Sequence, residues 1–388
     1  MGEAVISSEH RRHPECARAS SVARDTLTMA VAVVALLLVA VPMPVRAATT
    51  SEQSSSILIF PKVVFDGSRD TVIQITNTSN SMVHAHCFYV NAAPLCIGAG
   101  DCLAGTCSGT CEPQWIEVDF AIWLTKQQPT HWSVGEGRLP PGGFPCDANN
   151  SDCDNAGIEI GRVPPVSSVP FAGELRCIEV DQSGAPISGN HLKGEATIIS
   201  GDGDASKYNA VGLIGEPFSN NGDDILCIGG GVTDECPSGA EYEGCGQRLI
   251  MPNFAEGADN PMFGPTSEVD TELTLTPCAA DFERQLPSEI VVQIIVVNEF
   301  EQPFSTSQRF QCWLTTFLDD INSIFSVLVA QTRFIETQLR PADRSDSGFV
   351  GVYEEYHRVN GQQARAAFNV HEQGTRDKTD LIFLPEGP

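Results

Sequence analysis

The sequence predicts an all-β protein of tandem immunoglobulin-like β-sandwiches with disulfide-rich loop insertions, and three observations carry that reading. Short runs alternate apolar and polar residues along almost the whole chain: "TVIQITN", "VHAHCFYV", "WIEVDFAIWL", "ELRCIEV", "EATIIS", "TELTLTP", "EIVVQIIVVN" and "ARAAFNV". Alternation with a period of two is the signature of a strand with one buried face. Between the runs lie clusters of Gly, Pro, Asn and Asp, and the 34 Gly and 25 Pro suit a chain of many turns. Fourteen cysteines point to cross-linked loops.

Taken in order, residues 1–47 read as a secretory signal. Arg11, Arg12, Arg18 and Arg24 precede the apolar run "TLTMAVAVVALLLVAVPMP" at 26–44, and small residues at Val45 and Ala47 mark cleavage after Ala47. An uncleaved segment would instead anchor the protein to a membrane, since the run nearly reaches the ~20 residues a spanning helix needs. Export to the periplasm, cell surface or medium is the expectation, with cysteines oxidised. Removing the leader with Cys16 leaves an odd number of cysteines, so at least one is a free thiol or pairs between chains.

The first sandwich is expected over 48–204. Its third strand, Met82 to Val90, places Val83, Ala85, Cys87 and Tyr89 on the core face and Met82, His84, His86 and Phe88 on the other. Cys87 then points inward, and Cys177 in "ELRCIEV" is its expected disulfide partner. A first Cys-rich loop, 93–113, holds Cys96, Cys102, Cys107 and Cys111 in a Gly-rich context with little apolar content, which needs cross-links to keep a shape. In "WIEVDFAIWL" the inward set is Ile116, Val118, Phe120, Ile122 and Leu124. Trp115 and Trp123 look outward, and a hairpin through "TKQQPTHW" would set Trp132 beside Trp123. A second Cys-rich loop, 145–157, carries Cys146 and Cys153.

A boundary in the Gly/Asp-rich "SGDGDASKYN" leads to a second sandwich over 205–388. "IVVQIIVVN" at 290–298 echoes "TVIQITN" at 71–77, each followed by a cysteine–aromatic step, which suggests a Cys278–Cys312 disulfide. "CWLTTFLDDINSIFSVLVA" is compatible with helix, but strands are expected at both its ends.

The opening "ILIFPKVVFDGSRDTVIQITNTSNSMVHAHCFYV" resembles the first strands of immunoglobulin-like sandwiches of the pilus-chaperone type, and the chain has the look of uncharacterised exported bacterial proteins. The similarity covers about 35 residues and implies fold alone. That family's basic residues for a subunit carboxylate are not matched, so chaperone activity is not carried over.

Function is bounded more than specified. Fifty acidic against 23 basic residues give a net charge of −27, which repels nucleic acid. Nucleophile elbow, zinc-protease helix, phosphate loop and dinucleotide fingerprint are all missing from the sequence. The reading is therefore a non-catalytic binding or scaffolding protein, with a protein or glycan as partner. Its ligand platform would be Trp115, Trp123 and Trp132. The alternative is a metal-binding protein. Asp147, Asn149, Ser151, Asp152 and Asp154 space oxygen ligands as Ca2+ loops do, and His84 with His86 can offer two imidazoles to a transition metal once a third ligand joins them. A second alternative is a secreted hydrolase with an unrecognised site.

Overall fold

A computed structural model describes residues 52–96, 111–113, 115–138, 162–166, 170–216, 222–343 and 347–385. The segment Ala47–Pro388 is one compact unit. The leader, the loop 145–157 with its five oxygen ligands, and Cys102, Cys107, Cys146 and Cys153 lie outside the described residues.

The chain is all-β. Sheet 1 contains β1 (Ile57–Phe65), β3 (Val83–Asn91), β6 (Ile116–Leu124), β8 (Phe171–Val180) and β11 (Val211–Leu213), in the order β11-β1-β8-β3-β6. Sheet 2 contains β2 (Arg69–Asn77), β7 (Pro129–Ser133), β9 (Leu192–Ser200) and β10 (Ala205–Asn209), in the order β10-β9-β2-β7. The ribbon of β4 (Pro94–Cys96) and β5 (Cys111–Pro113) sets Cys96 opposite Cys111. Sheet 3 is β12 (Ile225–Ile228), β23 (Asp380–Phe383) and β15 (Ala280–Asp281), with β23 in the middle. Sheet 4 is β17 (Pro303–Gln311), β16 (Glu289–Asn298), β19 (Phe334–Pro341), β13 (Gly246–Phe254) and β22 (His371–Thr375), in that spatial order. Sheet 5 is β18 (Leu314–Phe317), β14 (Ser267–Pro277), β20 (Phe349–Val359) and β21 (Gln362–Asn369), again in spatial order. Between β18 and β19 the chain makes α1 (Leu318–Ile321), a 3-10 turn (Ser323–Phe325) and α2 (Val327–Ala330), so the ambiguous stretch is strand at its first end only and its second end, expected as strand, is helical.

The five larger sheets are arranged as blades of a five-bladed β-propeller, and this corrects the expectation of immunoglobulin-like sandwiches. Three hydrophobic cores join the sheets. Sheets 1 and 2 share a core of Leu58, Phe60, Cys87, Tyr89, Ile73 and Ile198, which Val352 of sheet 5 also joins. Sheets 4 and 5 share a core that includes Val292, Ile294, Leu339, Leu273 and Leu275. Sheet 3 closes on the far face of sheet 1 through Ile57, Ile59, Phe88, Leu226, Ile228 and Ile382. In an immunoglobulin domain the first strand lies at a sheet edge. Here β1 lies inside its sheet, between β8 and β11. The blades also differ from repeated four-stranded units, since strands from distant parts of the chain interleave within them.

Because both faces of sheet 1 are covered, β1 is buried along eight of its nine residues and does not alternate. A β-bulge at Pro61 and Lys62 interrupts its pairing with β8. Opposite it stands Gly173, where a Cβ would lie 1.9 Å from the Val90 carbonyl oxygen, so only glycine lets the two backbones approach. The bulge region carries Lys62 into contact with Glu272 and Glu354 of sheet 5. Nearby, Arg176 donates to the carbonyls of Pro277 and Cys278 at 2.5 and 2.8 Å while pairing with Glu174. Buried ionic groups therefore lock strands from before residue 213 to strands from after 225.

Candidate functional site

The outer face of sheet 1 along β3 and β6 collects several of the residues singled out by sequence. Antiparallel register sets His84 opposite Trp123. Their rings stack at 4.1 Å and 3°, and His84 Nδ1 donates to the Asp181 carbonyl at 3.0 Å. His86 turns to a different partner: its Nε2 donates to Asp119 Oδ2 at 2.8 Å, and its ring rests on Phe88 at 4.3 Å. Beside them burial pushes the Glu117 carboxyl up to about 7, helped by the charge of Asp119. Asp119 itself is held below the ordinary carboxylate range by the hydrogen bond from His86.

It is not an assembled metal centre. A transition metal would need a third ligand beside the two imidazoles. Among the described residues the one converging trio is Cys245, Cys278 and Asp380, which includes neither histidine. Its two sulfurs are joined to each other in a disulfide and cannot serve as thiolates. His131, the remaining nearby histidine in sequence, lies on β7 opposite Gln74 in sheet 2.

The tryptophan platform requires correction. Trp132 is 2% exposed and donates from Nε1 to the Tyr89 hydroxyl at 2.5 Å inside the core. The chain passes from sheet 1 to sheet 2 between β6 and β7, so these strands never form the expected hairpin. Trp115 is 9% exposed and lies parallel to Phe282 with ring centres 6.5 Å apart. Trp123 alone is partly accessible, with its ring on His84. Ile116, expected inward, is 44% exposed.

The cysteines divide in the same way. Cys87 and Cys177 are directly paired on β3 and β8 and form a disulfide. Cys278 bonds to Cys245, not to Cys312, and Cys312 is a buried free thiol. Cys312 has φ +59° at the end of β17, outside any strand. A third bridge, Cys227–Cys236, closes a short loop after β12.

A concave site missed by sequence reasoning lies where the edge strands β10 and β21 meet. The groove has a volume of about 650 Å³, and Lys207, Asn209, Tyr353, Phe368, Asn369 and His371 line it. Asn369 stitches the seam: its Oδ1 accepts from the Asn209 N–H at 3.0 Å and its Nδ2 donates to the Asn209 carbonyl at 2.7 Å. Phe368 is 41% exposed and lies on Tyr353 at 5.1 Å and 26°. Tyr353 is held from behind, with its hydroxyl donating to the Pro252 carbonyl at 3.0 Å. Glu372, on the groove wall, accepts from the Gly246 amide at 2.9 Å. The sequence signal was slight, a phenylalanine following two alanines in "ARAAFNV".

No family model matches the chain, and no curated protein matches it. Among solved structures it is similar to one described as the crystal structure of Thermotoga maritima 1070. That likeness has 7% identity and a TM-score of 0.25, and it covers 34% of this chain and 97% of the other. It is too slight to bear on function. No helix among the described residues is long and apolar enough to cross a membrane.

Proposed function

We propose that the protein is an exported, non-catalytic binding protein whose seam groove holds a glycan. The exposed Phe368, braced on Tyr353 at 5.1 Å within a groove of about 650 Å³, carries this reading. A flat aromatic suits the apolar face of a sugar ring, while Lys207, Asn209, Asn369 and His371 suit its hydroxyls. The surface is small and mixed in polarity, unlike the broad apolar patch that marks a stable protein interface. Export is supported by the disulfides Cys87–Cys177, Cys227–Cys236 and Cys245–Cys278, which are the chemistry of an oxidising compartment.

The test is a neutral-glycan array followed by calorimetry of the strongest hit on the wild type and on Phe368→Ala. A loss of about fivefold or more in affinity is expected, since an aromatic contact of this kind contributes about 1 kcal/mol or more. Absence of glycan binding, or equal affinity in the variant, would overturn the reading.

A further inference from the structure

A second cleft, of about 740 Å³, opens at the end of sheet 4. Its floor comes from Gln247 of β13, Gln293 of β16 and Arg340 of β19, and its wall from two loops of sheet 3, around Gly231–Thr233 and Arg376–Thr379. The composition is unusual for this chain. Acids outnumber bases 50 to 23 overall, yet Arg340, Arg376 and Lys378 line the cleft against one acid, Asp377.

The cations are set by the fold. Arg340 and Gln293 face each other across β19 and β16, and Arg340 Nε donates to Gln293 Oε1 at 2.7 Å, which fixes the guanidinium plane. Arg376 is buried, its Nε 3.9 Å from Asp380 Oδ2. The two loops are tied by the Thr379 hydroxyl, which donates to the Gly231 carbonyl at 3.2 Å. The Cys227–Cys236 bridge closes the loop that carries Gly231 and Thr233. The cleft is thus preorganised, and little ordering cost remains for a ligand.

We infer that this cleft binds a hydroxylated carboxylate of the sugar-acid type, distinct from the ligand of the seam groove. A planar guanidinium matches a carboxylate, and Lys378 adds a second cation to the lining. The amides of Gln247 and Gln293 and the hydroxyl of Thr233 are neutral groups that both donate and accept, as ligand hydroxyls require. Against a net charge of −27, a lining with three cations and one acid is a local reversal of sign that favours an anion.

Sodium glucuronate, with glucose and inorganic phosphate as comparisons, tests this by calorimetry on the full exported protein at fixed ionic strength. Saturable binding of glucuronate and none of glucose is expected. Arg340→Gln and Lys378→Gln, both at exposed positions, should each weaken it about tenfold. Phe368→Ala should leave it unchanged. The inference is overturned if glucuronate does not bind, if both cleft variants bind like wild type, or if Phe368→Ala abolishes binding. Equal affinity for inorganic phosphate would also overturn it, by reducing the cleft to a bare oxyanion site.

Discussion

Lys62 Nζ and Glu272 Oε2 stand 2.5 Å apart across the junction of sheets 1 and 5, with the lysine side chain 1% exposed. Glu354 is the second anion on the same ammonium, and the Tyr356 hydroxyl donates to Glu272 at 2.7 Å. Two carboxylates and one ammonium out of water are tolerable only as a complete set, because each ion alone would keep its desolvation cost. Lys62→Met should therefore destabilise the protein by about 3–5 kcal/mol. Urea unfolding measures this, and a loss below about 1 kcal/mol would mean that water reaches the carboxylates.

The same set predicts acid behaviour. Burial would push Glu272 upward, but the charge of Lys62 and hydrogen bonds from Lys62 and Tyr356 hold its carboxyl at about 2. A folded value below the unfolded one contributes stability above pH 4.5 that is lost as pH falls toward 2. The loss from this group is on the order of 3 kcal/mol. Glu272→Gln should flatten that limb of the stability curve, and an unchanged slope between pH 4.5 and 2 would refute the assignment.

Glu256 behaves in the opposite sense. It is 3% exposed, and its Oε1 accepts the Thr271 amide at 2.8 Å. Burial, aided by the charges of Asp270 and Asp319, pushes its carboxyl up to about 9. The folded state then holds a proton that the unfolded state has released, so stability declines as pH rises from 4.5 to 9. Glu256→Gln keeps the shape without the titration. It should melt higher than wild type at pH 8, with the gap closing near pH 4.5. A variant that melts lower at pH 8 would show that the carboxylate is solvated.

Cys312 tests the interior directly. Burial pushes its thiol up to about 12, with Glu174 adding to the effect. Native protein treated with iodoacetamide at pH 8 should show Cys312 unmodified by peptide mass mapping, and denatured protein should show it fully alkylated. Prompt labelling without denaturant would contradict the packing.

Much of this was legible where the physics is local. The inward set Val83, Ala85, Cys87 and Tyr89 lies in the core shared by sheets 1 and 2, because strand alternation alone decides it. Alternation assumes one solvated face, however, and sheet 1 has none over much of its width. Phe88, expected outward, is instead stacked on Phe282 at 4.4 Å under sheet 3. Trp132 was misplaced because nothing in "TKQQPTHW" states that the chain changes sheets. Cys278 was given the wrong partner because spacing cannot reveal which cysteines meet. Both grooves escaped notice for a related reason. Phe368 and Lys207, or Arg340 and Lys378, become neighbours only after strands far apart in sequence are packed together.

The central place of β23 in sheet 3 has a kinetic consequence. Its register is set by Ile225–Ile228 on one side and Ala280–Asp281 on the other, more than 95 positions earlier in the chain. Until Asp380–Phe383 has been made and delivered, β12 and β15 have no strand between them, and the core around Ile57, Ile59 and Phe88 lacks Ile382. Long-range closure of this kind is slow and leaves sticky surface exposed meanwhile. Sheet 3 is therefore complete only once Asp380–Phe383, the latest of its three strands in sequence, has docked between the other two.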